Sequence, residues 1–223
     1  MASGAVETER INDIGDNLVT MSLTDGSAAH RYWSSAKLRA GAESARNLAD
    51  AIHLLSALHG RHPGVIDFAA EKTALDAPRD WLLAAAEAFA VERAYLTRLV
   101  VAVGPLPGTP GQAETEAVII AQRHALEMLA QSDRTGCALG AAFALVLDWV
   151  AVRELLDITA ERFGIDRPAC RLPREAQTRL VASAVAQTAA VERALGFGSQ
   201  QILVQHHGLW DLLEAREAAR RGS

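Results

Sequence analysis

The sequence predicts an all-α protein, an up-down helical bundle of about five long helices with short ones between them, and three observations carry that reading. Half of the 223 residues are hydrophobic while only 5% are aromatic, so the core must be built mainly from Ala, Leu and Val. Alanine is the strongest helix former, and the β-branched and aromatic runs that strands favour are scarce. Apolar residues also recur every three or four positions over long stretches separated by short Gly- and Pro-bearing connections. Such connections leave little room for anything but antiparallel neighbours.

Residues 1–32 carry weak periodicity and a turn signal at Asp25-Gly26, and read as an N-terminal arm to a single helical-bundle domain spanning 33–223. Ser34 and Ser35 offer an N-cap to the first long helix. Its apolar stripe is Leu38, Ala42, Ala45, Leu48, Ile52 and Leu55, and Gly60 and Pro63 end it. A short helix covers Val65 to Lys72. Asp76, with Pro78 two residues on, opens the second long helix, which must stop before the loop GPLPGTPG at 104–111. Gln112 to Gln131 make the third and Cys137 to Arg162 the fourth, whose first turns are apolar on every side, as a central helix requires. After the interruption GIDRPACRLP, Arg174 to Leu195 resume the pattern, and Gly196 to Gly198 are expected to separate off a last helix over Ser199–Arg221. The pentapeptide AVERA occurs at both 90–94 and 190–194, a repetition that residues so common in this chain produce by chance.

Composition narrows the function classes. A net charge of -5 provides no field that attracts nucleic acid or an anionic membrane. The longest apolar run, Cys137 to Leu147, is eleven residues, short of the ~20 that cross a bilayer. The opening MASGAVETERINDIGDNL is polar and acidic, unlike a secretory signal. Cys137 and Cys170 have neither CxxC nor zinc-ligand spacing, and read as reduced thiols of a cytoplasmic protein. The Ala-rich composition looks bacterial.

Chemistry is suggested by polar residues set where water is not. The stretch CALGAAFALVLDWVAV, residues 137–152, holds a single charge, Asp148. Its helical neighbours Ala141, Leu145, Val152 and Leu155 are all apolar, so the carboxylate must be paired, bound to a metal, protonated or aimed at solvent. A hydrogen-bonded aspartate holding two helices in register satisfies that demand, and so does a functional site. Glu92 raises the same question on the stripe Leu82, Ala85, Phe89 and Leu96. His124 and Glu127 are three apart and share one helix face, where both reach one ion. His206 falls on the core-facing stripe of Ile202, Leu209 and Leu213, Glu192 stands near the edge of its apolar face, and His53, His59 and His62 gather at the end of the first long helix. The metal candidates are therefore Asp148, Glu92, His124 and Glu127, joined by Glu192 or His206, with iron or manganese as the ion.

In outline this resembles the ferritin-like di-metal carboxylate bundles, which implies a metal-dependent oxidoreductase. Those bundles place a Glu on each of two helices and a Glu-x-x-His on each of two others. This chain contains no Glu-x-x-His; its nearest approximations are Asp50-x-x-His53 and the reversed His124-x-x-Glu127. The outline is also similar to haem oxygenases and thiaminase-like bundles, which implies a pocket for a flat, tetrapyrrole-like ligand. Walker A, GxGxxG, HExxH and GxSxG signatures are absent. Beside the metal enzyme stand two further expectations. One is a small apolar ligand held in a cavity between Ala-rich helices; the other is a homodimer or partner-binding module, anchored by Trp33, Trp81 or Trp210 wherever these are not core.

Overall fold

The computed structural model describes residues 13–73 and 76–222, and among them all regular structure is helical. The first twelve residues of the expected arm lie outside the described residues. Its remainder forms α1 (Ile14–Asp25), opened by the Asp13 carboxylate accepting the Gly15 N–H, and a single 3-10 turn over Ser27–Ala29. There follow α2 (Ala36–Arg39), α3 (Ser44–His59), α4 (Val65–Lys72), α5 (Asp76–Val103), α6 (Gln112–Ala130), α7 (Cys137–Phe163), α8 (Glu175–Val185) and α9 (Ala189–Arg221).

Side-chain pairings fix the helix directions. Along α3 and α9 the partners are Asp50 with Arg216 and His59 with His206, so the two helices run antiparallel. Arg162 with Ser44 sets α7 against α3, and Gln122 and Thr115 with Gln205 and Arg216 set α6 against α9. Trp81 with Phe143 and Tyr95 with Leu156 show that α5 and α7 run the same way. Thus α3, α5, α6 and α7 alternate in direction, as short connections favour, whereas α9 runs parallel to α7, with α8 between them in the chain.

Helix α7 is the axis of the molecule. It contacts α1, α3, α4, α5, α6, α8 and α9, and from Cys137 to Val146 every residue is buried. Its main partner is α9, and two glycines set their separation. A Cβ on Gly198 would lie 2.0 Å from the Cys137 carbonyl oxygen, and one on Gly140 would lie 2.1 Å from the Leu195 carbonyl oxygen. Ser199 Oγ then donates to the Gly140 carbonyl at 2.8 Å, a bond that only backbones this close permit.

That crossing explains a departure from the expected boundaries. Gly196 and Gly198 do not end a helix; α9 runs through them, because here glycine serves close approach. The break falls earlier, at 186–188, where Thr188 caps α9 by accepting the Val191 N–H. The first long helix is likewise two pieces. Ser35 caps α2 as expected, but the chain kinks over 40–43 before α3, which leaves Ala42 of the expected stripe exposed.

Trp33, Trp81 and Trp210 are all buried, which makes them core rather than surface anchors. No helix among the described residues is long and apolar enough to cross a membrane. Helix α1 packs on α7, α8 and α9, buries Ile14 and Leu18, and pairs Asp16 with Arg179 of α8 at 3.0 Å. Its placement delivers the turn at Gly26-Ser27 to the middle of α7.

Candidate functional site

Asp148 is 2% exposed, and three donors answer its charge. Oδ1 accepts the Ser27 backbone N–H at 2.7 Å, and Oδ2 accepts the Ser27 hydroxyl at 2.5 Å together with His206 Nδ1 of α9. Gly26 lets the turn come this close, since a Cβ there would lie 2.4 Å from Asp148 Oδ1. Burial alone would raise the Asp148 pKa; hydrogen bonds and charge from His206, and the two bonds from Ser27, reverse that and hold it below the ordinary value. Asp148 is therefore an anion at neutral pH.

The chain of hydrogen bonds continues beyond His206. Its Nε2 lies 2.9 Å from Nε2 of His59, the last residue of α3, and the two rings meet edge to face with centroids 4.9 Å apart. His206 is 1% exposed and His59 6%. Burial first, and the neighbouring His206 second, push the His59 pKa well below the usual imidazole value, so this ring is neutral at pH 7. Proton positions follow from the partners. Asp148 can only accept, so His206 holds a proton on Nδ1. Between the two facing Nε2 atoms one ring donates and the other accepts. No described residue bonds to Nδ1 of His59.

His59 forms part of the wall of a cavity of about 40 Å³ between α3, α4, α5, α6 and α7. Leu58, Phe68, Phe89 and Leu145 make it mostly apolar, and Arg61, Arg123 and Glu127 supply its remaining polar groups. A void this size holds a water molecule or a group of a few heavy atoms.

A second buried carboxylate lies close by. Glu92 of α5 is 0% exposed; Oε1 accepts from Arg153 at 2.7 Å and Oε2 from the Trp149 indole at 3.1 Å. Arg153 also donates to Asp157 at 2.8 Å, and its guanidinium lies over the Tyr95 ring at 4.7 Å. Tyr95 gives its hydroxyl to Asp157 at 2.9 Å, and burial followed by this bond raises its pKa. Trp149 is the joint between the two systems, packing edge-on against both His59 and Phe89. A third polar cluster ties α3 to α9 through Asp50 with Arg216 and Arg220.

The four metal candidates are not brought together. Asp148 and Glu92 sit in the separate networks just described, while His124 and Glu127 are exposed on α6, with Glu127 3.6 Å from Arg123 and part of the cavity wall. Glu192 is exposed, and His53 Nε2 bonds the Gly104 carbonyl at 2.8 Å. Among the described residues the one group of three or more donors close enough to share an ion is His30, His207 and Asp211. There the Tyr32 N–H donates to His30 Nδ1, so the ring's proton sits on Nε2 and is given to Asp211 at 3.1 Å. Ligation through Nε2 would require that proton to leave while Nδ1 still accepts, which opposes a metal at that position.

Ser27 is the site residue that sequence reasoning missed, while His59 was marked only as one of a cluster of histidines. Ser27 follows the Asp25-Gly26 turn that was read only as a connection, and His59 stands among three histidines with nothing to single it out. The core-facing stripe did mark His206.

Fold and site define an all-helical protein whose interior carries an Asp–His–His chain ending at a small cavity. Residues 22–221 match the model of a family of unknown function, DUF6975, and the chain belongs to that family. Neither the curated proteins nor the solved structures hold a significant match to it.

Proposed function

We propose that the protein binds a small molecule in the His59 cavity and exchanges a proton with it. The observation that carries this reading is the unbroken hydrogen-bonded chain from a buried carboxylate, through two imidazoles, to a cavity wall. In the tautomer where His59 donates its Nε2–H to His206, Nδ1 of His59 is a lone pair, ready to take a proton from water or another weak acid. As it does so, the ring passes its Nε2 proton to His206 Nε2. The positive charge then rests on His206 against the Asp148 carboxylate, and not on His59, where burial disfavours it. Reversal returns the proton to the bound molecule. His59 is thus the acid–base residue, while Ser27, Asp148 and His206 position it and receive the charge.

Positioned general acid–base groups contribute roughly 10²–10⁴-fold to a rate. Hydrolysis of 4-nitrophenyl acetate, whose acetyl group suits the cavity, supplies the test. His59→Gln and Asp148→Asn should each lower the rate at pH 7.5 by about 10²-fold or more. Equal rates for the wild type and His59→Gln would sink the reading.

A further inference from the structure

We infer that the molecule this cavity takes is a short-chain carboxylate anchored by Arg123, a reading that rests on the cavity being the ligand site proposed above. The Arg123 Nε is buried and has no hydrogen-bond acceptor. The side chain as a whole is 25% exposed and ion-paired with Glu127 one turn along α6, but at 3.6 Å that carboxylate oxygen stands outside hydrogen-bond range of Nε. A buried guanidinium N–H without an acceptor is costly, and the flat fork of donors matches a carboxylate better than any neutral group. Arg61 adds a second cation to the wall and Glu127 is the one acid, so the charge around the cavity favours an anion.

Size and lining narrow the class. About 40 Å³ admits few heavy atoms beyond the carboxylate, and Leu58, Phe89, Leu126 and Leu145 offer an apolar surface to an alkyl stub. Formate, acetate and propionate fit this description.

The second carboxylate oxygen falls to His59. Facing that ring are His206 from α9, with Asp148 behind it; Trp149 from α7, with Glu92 behind it; Phe89 from α5; and Arg61, Arg123 and Glu127 around the cavity. An anion bound there is best met by Nδ1 carrying a proton, so binding takes up one proton into the imidazole chain. Linkage then makes carboxylate affinity rise as pH falls, by at most about tenfold per pH unit.

Acetate titrated into the full chain, followed by the ¹⁵N signals of the histidine rings and of arginine Nε, tests the assignment. Acetate should shift His59 and Arg123 together and bind more tightly at pH 6.5 than at 7.5. Arg123→Gln should weaken it at least tenfold while leaving the melting temperature near that of the wild type, and Glu127→Gln should tighten it. His59→Gln should still bind acetate but lose the pH dependence. An acetate affinity unchanged in Arg123→Gln, acetamide binding as tightly as acetate, or no binding of formate, acetate or propionate at 100 mM would overturn the carboxylate assignment. The proton-exchange reading fails separately, through ester hydrolysis that His59→Gln leaves unchanged.

Discussion

Glu92 and Asp148 enter the same core in different company. Glu92 meets a guanidinium and an indole, Asp148 a hydroxyl, a backbone amide and an imidazole, and the residue after Asp148, Trp149, touches both systems. Arginine stays protonated under all ordinary conditions, so Arg153 has no proton to give and its pair with Glu92 braces α5 against α7. Imidazole has two tautomers and a charged form within reach, so the Asp148 system can relocate a proton without unpairing its carboxylate. Two carboxylates equally hidden from water thus differ in whether their partners can titrate. Burial marks both as costly; the partner decides which of them can do chemistry.

The largest effect expected on this contrast comes from Glu92→Ala. It strips a buried guanidinium of its main counter-charge and should cost about 3–5 kcal/mol in chemical denaturation. Glu92→Leu combined with Arg153→Met should recover most of that loss, because an apolar pair of similar volume replaces a desolvated ion pair. Failure of the double variant to recover would show that Arg153 is needed by Asp157 as much as by Glu92.

Asp148→Asn should be milder, about 1–3 kcal/mol, since the amide oxygen still accepts from Ser27 while the amide nitrogen confronts His206. Its sharper signature is spectroscopic: His206 should lose its Nδ1–H tautomer, visible in ring ¹⁵N shifts. An unchanged tautomer would erase the distinction between the two carboxylates.

Acid should separate them further. The depressed pKa of His59 means that below pH of about 6.5 the unfolded chain gains a proton there that the folded chain does not. Stability should therefore fall as pH drops below that point. Asp148, also depressed, adds its loss below about pH 4. Denaturation between pH 7.5 and 5 should show the decline in wild type, a flatter profile in His59→Leu, and the wild-type slope in Glu92→Ala.

The smallest effect should come from Asp211→Asn. Its carboxylate is 63% exposed even though His30 opposite is buried, so the pair should contribute no more than about 1 kcal/mol. A larger loss in thermal unfolding would mean that imidazole partners stabilise this fold wherever they occur, rather than only at Asp148.

Much of the architecture could be read from residue order. Gln112, Cys137 and the GPLPGTPG loop marked the starts and stops of α5, α6 and α7, because helix punctuation is a local property of Gly, Pro and polar caps. Gly198 resisted the same logic. Glycine that ends a helix and glycine that admits a neighbouring backbone look alike until the neighbour is in place, and here the neighbour is Cys137 of α7. The repeated AVERA makes the same point for charge: Glu92 is fully buried against Arg153, whereas Glu192 in the identical pentapeptide is exposed.

By itself, then, the sequence determined that the protein is helical, that α7 is its buried axis, and that Asp148 needed a partner there, since propensity, periodicity and desolvation act within one helix. Only the tertiary structure decided that the partners are Ser27 and His206, that His59 extends the chain to a cavity, and that His124 stands exposed on α6 away from Asp148. Each residue turns about 100° around its helix, so a side chain's company depends on how separate helices rotate and cross, which for α7 and α9 was settled by the backbones meeting at Gly140 and Gly198.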